Sequence, residues 1–73
     1  MKVIVTMISG REFKLDDDCF INEVSVGQSH KVSRIIYNFT TTVSDNRMIH
    51  FTTPDGDYLI PVTSIEMISI KEN

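Results

Sequence analysis

"GQSHKVSRIIYNFTTTV", residues 27–43, can be read in two ways, and the choice decides the fold. As a helix, Val32, Ile35, Ile36 and Phe39 repeat at three- and four-residue spacing, which gathers apolar side chains on one face, and Ser29 stands where an N-cap would. As a strand, Ile35, Tyr37, Phe39, Thr41 and Val43 alternate along one side. The second pattern runs longer and uses β-branched and aromatic residues suited to a pleated surface. It predicts a long strand from about Arg34 to Val43, with a short helical turn near Ser29 to Ser33 as the retained alternative. The strand reading also makes Tyr37 and Phe39 core residues.

Upstream, "CFINEVSV" (19–26) predicts another strand, with Phe20, Asn22, Val24 and Val26 on one side and Ile21, Glu23 and Ser25 on the other. One or two helical turns capped by an aspartate are the competing reading, disfavoured because Val24, Ser25 and Val26 are weak helix formers. Gly27 follows them at once. At the N-terminus, "VIVTMI" and "EFKL" flank Ser9-Gly10, and a glycine there permits the positive φ of a tight hairpin. Downstream, "SDNR" (44–47) is turn chemistry, and "MIHFTT" places Ile49 and Phe51 on one face with His50 on the other.

"TTPDGDYLI" (52–60) is the clearest local signal. Pro54 presets the first turn corner, Asp55 fits the second, and Gly56 supplies the unusual backbone angle. Pro61 then ends the returning strand or sits at a sheet edge, since it has no N–H for a central ladder. "TSIE" (63–66) matches a capping box, which predicts one 3-10-like turn before the last strand, "IEMISI". The whole predicts one all-β domain over residues 1–73, with five to seven short strands and one short helical turn allowed. Mostly meander order would curl it into a small antiparallel barrel or sandwich. Its last 25 or so residues, a hairpin, a brief helical turn and a final strand, resemble the close of an SH3-like or Sm-like small barrel. The resemblance is architectural and carries over no functional positions.

A domain of 73 residues buries only roughly 60% of its unfolded surface. With Cys19 its single cysteine, no intrachain disulfide can make up the deficit, so a homo-oligomer is expected. The N-terminal apolar run breaks at Thr6 and stops at Ser9-Gly10, too short for a signal peptide or a membrane span. A cytoplasmic protein with no membrane role is the resulting expectation, and the "NFT" at 38–40 is then no glycosylation site.

Candidate chemistry is sparse. Asp16, Asp17 and Asp18 are consecutive, so their carboxylates fan apart, whereas a calcium loop spaces its ligands at alternate positions. Cys19, His30 and His50 lack the paired spacing of zinc ligands. No nucleophile elbow or glycine-rich phosphate loop is present, the three glycines reading as isolated turn residues. No enzyme activity, cofactor, catalytic residue or metal site is therefore expected. The net charge of −3 disfavours general phosphate-backbone binding.

The expected function is non-catalytic binding to a protein partner. Its candidate surface is acidic: Asp16, Asp17, Asp18, Asp55 and Asp57 facing a basic partner. Size and charge fit an accessory or inhibitory protein of the kind phages and mobile elements encode. The alternative is a small barrel binding nucleic acid or a nucleotide through Lys31, Arg34, Tyr37 and Arg47, where cations would follow phosphates and the ring would stack on a base.

Overall fold

A computed structural model of the chain describes residues 1–45 and 48–72, the side chains of 41–45 excepted. Strands β1 (Lys2–Met7), β2 (Glu12–Leu15), β3 (Phe20–Ile21) and β4 (Val24–Ser25) precede a helix, α1 (Val32–Asp45). Strands β5 (Met48–Thr53) and β6 (Gly56–Pro61) follow, then a 3-10 turn at Val62–Ser64 and β7 (Ile65–Lys71). They form two antiparallel sheets, ordered β2-β1-β7 and β4-β3-β5-β6. The fold is small, compact and mostly β. No pairing among the described residues closes it into a barrel, so the two sheets remain separate layers around a common core.

Local chemistry accounts for the hairpins. Gly10 has φ +93°, and its N–H donates to the Met7 carbonyl at 2.9 Å, turning β1 into β2. Val3 and Val5 then share the inner face with Leu15 and Phe13, all buried. In the β5–β6 turn, Gly56 takes φ +141°, while the Thr53 hydroxyl accepts the Asp55 N–H at 3.2 Å and donates to the Gly56 carbonyl at 3.1 Å. Pro61 closes β6 at the sheet edge, where its missing N–H costs no bond to β5. A 3-10 turn does precede the last strand, but at Val62–Ser64, one residue ahead of "TSIE", whose Ile65 and Glu66 belong to β7, and the capping box does not form. Pro61 occupies the N-cap without a side-chain bond, and the Ser64 hydroxyl donates to the Pro61 carbonyl at 2.6 Å instead.

The predicted strand at 34–43 is a helix. Ile35 and Phe39 turn inward four residues apart, and the Phe39 ring meets the buried Phe51 ring edge-on at 6.3 Å between centroids. Tyr37, expected in the core, is 71% exposed. Burying the Ile35–Phe39 stripe outweighs the modest propensity of the β-branched residues, because helices in proteins are stabilised mainly by tertiary packing. Thr40 adapts by donating its hydroxyl back to the Ile36 carbonyl at 3.0 Å. Asn38 anchors the helix to β3 through an Nδ2–H bond to the Ile21 carbonyl at 2.9 Å. Ser29 is not the cap. Its hydroxyl donates to the Ser25 carbonyl at 2.8 Å, and the helix begins three residues later. The turn expected at 44–47 falls partly outside the described residues: α1 runs through Asp45, and Asn46 and Arg47 are not described.

The strand predicted at 19–26 is also corrected. Asn22 and Glu23 both have positive φ, 50° and 68°, the signature of a two-residue turn, and they fold the segment into the β3–β4 hairpin. Reversal at that turn undoes the expected alternation: Ile21 and Val26 are buried, while Phe20 and Val24 are about 40% exposed. Gly27 does not serve as a positive-φ turn residue. It lies where a Cβ would come within 2.5 Å of the Asp17 carbonyl oxygen, so its lack of a side chain lets the loop before α1 pack on the acidic loop.

Candidate docking surface

The outer face of the four-stranded sheet is set by register. Phe20 pairs with Thr52, Thr52 with Asp57, His50 with Leu59 and Met48 with Pro61, so these seven residues share the side opposite the buried Ile21, Ile49 and Phe51. Helix α1 supplies Ile35 and Phe39 to the core on the inner side, and both are almost fully buried. On the outer side Leu59 is 63% exposed, with Phe20 and Met48 also exposed. An apolar patch on a sheet face with no covering element is the kind of feature that marks an interaction site.

A polar trio crosses this face. The Asp57 carboxylate accepts the Thr52 hydroxyl at 2.7 Å, and its Oδ1 lies 2.9 Å from His50 Nε2. The Thr52 hydroxyl is 3.4 Å from the same His50 nitrogen. A catalytic triad uses the two imidazole nitrogens for different partners, one for the orienting carboxylate and one for the nucleophile. Here a single nitrogen meets both, so the trio is a structural clasp. His50 is half-buried within it.

The Thr52 hydroxyl, and after it His50, hold the Asp57 carboxyl below the usual carboxylate range. Lowering in the folded state means Asp57 contributes stability above its unfolded pKa of about 4, lost as pH falls through the lower folded value. Asp57→Asn is therefore expected to flatten the pH dependence of the urea midpoint below pH about 4 and leave it parallel to wild type at neutral pH. Parallel profiles throughout the acid range would contradict the assignment.

The remaining residues of the acidic candidate surface sit at one end of this sheet. Because β3 runs antiparallel to β5 with Phe20 opposite Thr52, the loop carrying Asp16, Asp17 and Asp18 enters at the same end as the β5–β6 turn with Asp55. The Asp16 carbonyl accepts the Cys19 N–H at 3.0 Å, closing a turn, and Asp17 lies 3.2 Å from the Met1 ammonium. Cys19 is buried, and desolvation pushes its thiol pKa up. Among the described residues no three His, Cys, Asp or Glu side chains converge to hold a metal ion.

The alternative residues lie elsewhere. Lys31 precedes α1, and Arg34 and Tyr37 follow at three-residue steps, so all three project from one side of the helix start, with Ile36 exposed beside Tyr37. Arg47, the fourth member, lies outside the described residues.

A second basic group was not legible from sequence. On the outer face of the three-stranded sheet, Lys2 stands directly opposite Lys71, and Lys14 opposite Ile4, one pair along. Like charges so placed repel. Lys2 and Lys71 come from opposite ends of the chain, and only the β1–β7 pairing makes them neighbours. No helix among the described residues is long and apolar enough to cross a membrane. Compared with models of protein families, with curated proteins and with solved structures, the chain matches none.

Proposed function

We propose that the protein is a non-catalytic binding module that engages a protein partner through the outer face of its four-stranded sheet. One observation carries this reading: Phe20, Met48 and Leu59 are exposed together on a face that no other described element covers. Asp57 on the same face and Asp55 and Asp16 to Asp18 at its end give the patch an acidic rim. A partner surface with apolar side chains flanked by lysine or arginine suits it. An apolar centre supplies affinity, and charge at the rim supplies steering and selectivity.

The reading with nucleic acid gains one specific observation, the exposure of Tyr37 beside Arg34 and Lys31. A single experiment separates the two. The chain is used as bait in extract from its native host, with and without nuclease, and captured material is identified by mass spectrometry. Phe20→Ala with Met48→Ala is expected to lower specific capture at least tenfold, and Asp16, Asp17 and Asp18→Asn to weaken it most at low salt. Capture that survives those changes but is lost on nuclease treatment, or on Arg34→Ala with Tyr37→Ala, would transfer the function to the helix surface.

A further inference from the structure

We infer that the free edge of β6 pairs with β6 of a second copy of this chain, antiparallel, about a two-fold axis at Leu59. The inference extends the binding-module reading by assigning one of its partners.

Hydrogen bonding fixes which groups reach that edge. In an antiparallel sheet a residue's N–H and C=O point to the same side, and successive residues alternate sides. The His50 carbonyl accepts the Asn22 N–H at 2.8 Å and the His50 N–H donates to Asn22 Oδ1 at 3.0 Å, so both His50 groups face β3. Leu59, paired with His50, therefore turns its own N–H and C=O away from β5. The N–H and C=O of Asp57 and the C=O of Pro61, two residues either side, point the same way. Since β6 ends the sheet order, these groups point off the edge with no strand of the described residues to meet them.

The other edges are protected along their length, whereas β6 is open at its centre. β4 is two residues long, β2 is four residues long with Glu12 and Lys14 exposed, and β7 has a register shift opposite Thr6/Met7 and ends in Lys71. Short length, charge, proline and irregularity are the usual means of keeping an edge from pairing, and on β6 Asp57 and Pro61 supply them at the two ends of the outward-facing set, with Leu59 between. β6 has six residues, with exposed Leu59 at the middle of its outward-facing set and Asp57 its single charge. That charge is drawn back over the sheet by Thr52 and His50.

The edge is complementary to itself. An axis at Leu59 sets Leu59 against Leu59, Asp57 against Pro61 and Tyr58 against Ile60, with no like charges opposed. The two Leu59 residues exchange two hydrogen bonds, and each Asp57 N–H reaches the lone pair of a Pro61 carbonyl that the Ser64 hydroxyl does not take. Pro61 has no N–H to return, so each Asp57 carbonyl stays outside the ladder and the Leu59 pair carries the full two-bond exchange. An axis at Asp57 would oppose two carboxylates, and one at Pro61 would oppose two residues without donors. The result joins two four-stranded sheets into one and doubles the outer face.

The test is crosslinking by a short bismaleimide at Leu59→Cys, with Met67→Cys on the β7 edge as the control, since Met67 is comparably exposed. Two-fold-related Leu59 positions would have Cα atoms about 5.5 Å apart. Leu59→Cys is expected to give a covalent dimer in high yield and Met67→Cys none, the buried Cys19 being common to both. In sedimentation equilibrium the unsubstituted chain is expected to be a dimer, and Leu59→Lys a monomer with an unchanged far-UV spectrum. A monomer at every concentration, or a dimer that Leu59→Lys leaves intact, would overturn the inference. Those outcomes leave the partner reading standing, because its test uses Phe20 and Met48 on the inner strands β3 and β5.

Discussion

Phe39→Ala is expected to destabilise the protein by about 3–5 kcal/mol, and Tyr37→Ala, two residues away, by no more than about 0.5 kcal/mol. Phe39 is 5% exposed, and its ring closes on Phe51, which itself packs on Phe13 at 5.6 Å between centroids. Truncation removes the transfer free energy of the ring and leaves a cavity in a core with few alternatives for filling it. A typical domain is stable by about 5–15 kcal/mol, and one this small has little in reserve, so Phe39→Ala should be substantially unfolded at 37 °C. Tyr37 projects into solvent, and alanine there improves helix propensity. Urea denaturation of both variants, followed by far-UV circular dichroism, reads the difference directly. Equal losses would restore the strand pattern, in which both rings share a buried side.

Gly27→Ala is the second large effect, expected to cost about 1–3 kcal/mol, the range for forcing atoms into a packed site. The added Cβ would lie 2.5 Å from the Asp17 carbonyl oxygen and 3.1 Å from the Asp17 Cβ, and neither atom is the far end of a flexible chain. One loop must move. Val26 donates its N–H to the Cys19 carbonyl at 2.9 Å, so displacement on either side strains the shell over Cys19. The urea midpoint should fall, and the native-state labelling rate of the Cys19 thiol, now 3% exposed, should rise severalfold. An unchanged midpoint with unchanged thiol protection would contradict the close approach.

Two hairpins were legible because their information is local. Gly10 and the Pro54-Asp55-Gly56 turn fix the chain within four residues, whatever it packs against, and the flanking apolar residues then alternate as pairing requires. The β3–β4 hairpin was missed because its turn is Asn22-Glu23. Asparagine tolerates positive φ, but glutamate gives no such signal, and the surrounding residues continue an apparent strand. Asp57 was placed on the acidic candidate surface from sequence. Its clasp with His50 and Thr52 was not, since it depends on cross-strand register. The basic group of Lys2, Lys14 and Lys71 has no local signature at all.

By itself, the sequence determined that this chain is a small β-rich protein, where most of its strands turn, and that its last hairpin, 3-10 turn and strand follow one another. Residues 27–43 were decided by tertiary structure alone. Val32, Ile35 and Phe39 fit a helix and Ile35, Phe39 and Val43 a strand, and both patterns draw on nearly the same apolar residues. The core resolved the tie: wound as α1, the chain sets Phe39 against the Phe51 ring and buries Ile35 in the same core, and Asn38 then reaches the Ile21 carbonyl. With α1 committed to the inner side, no described element covers the outer face carrying Phe20, Met48 and Leu59 or extends the β6 edge.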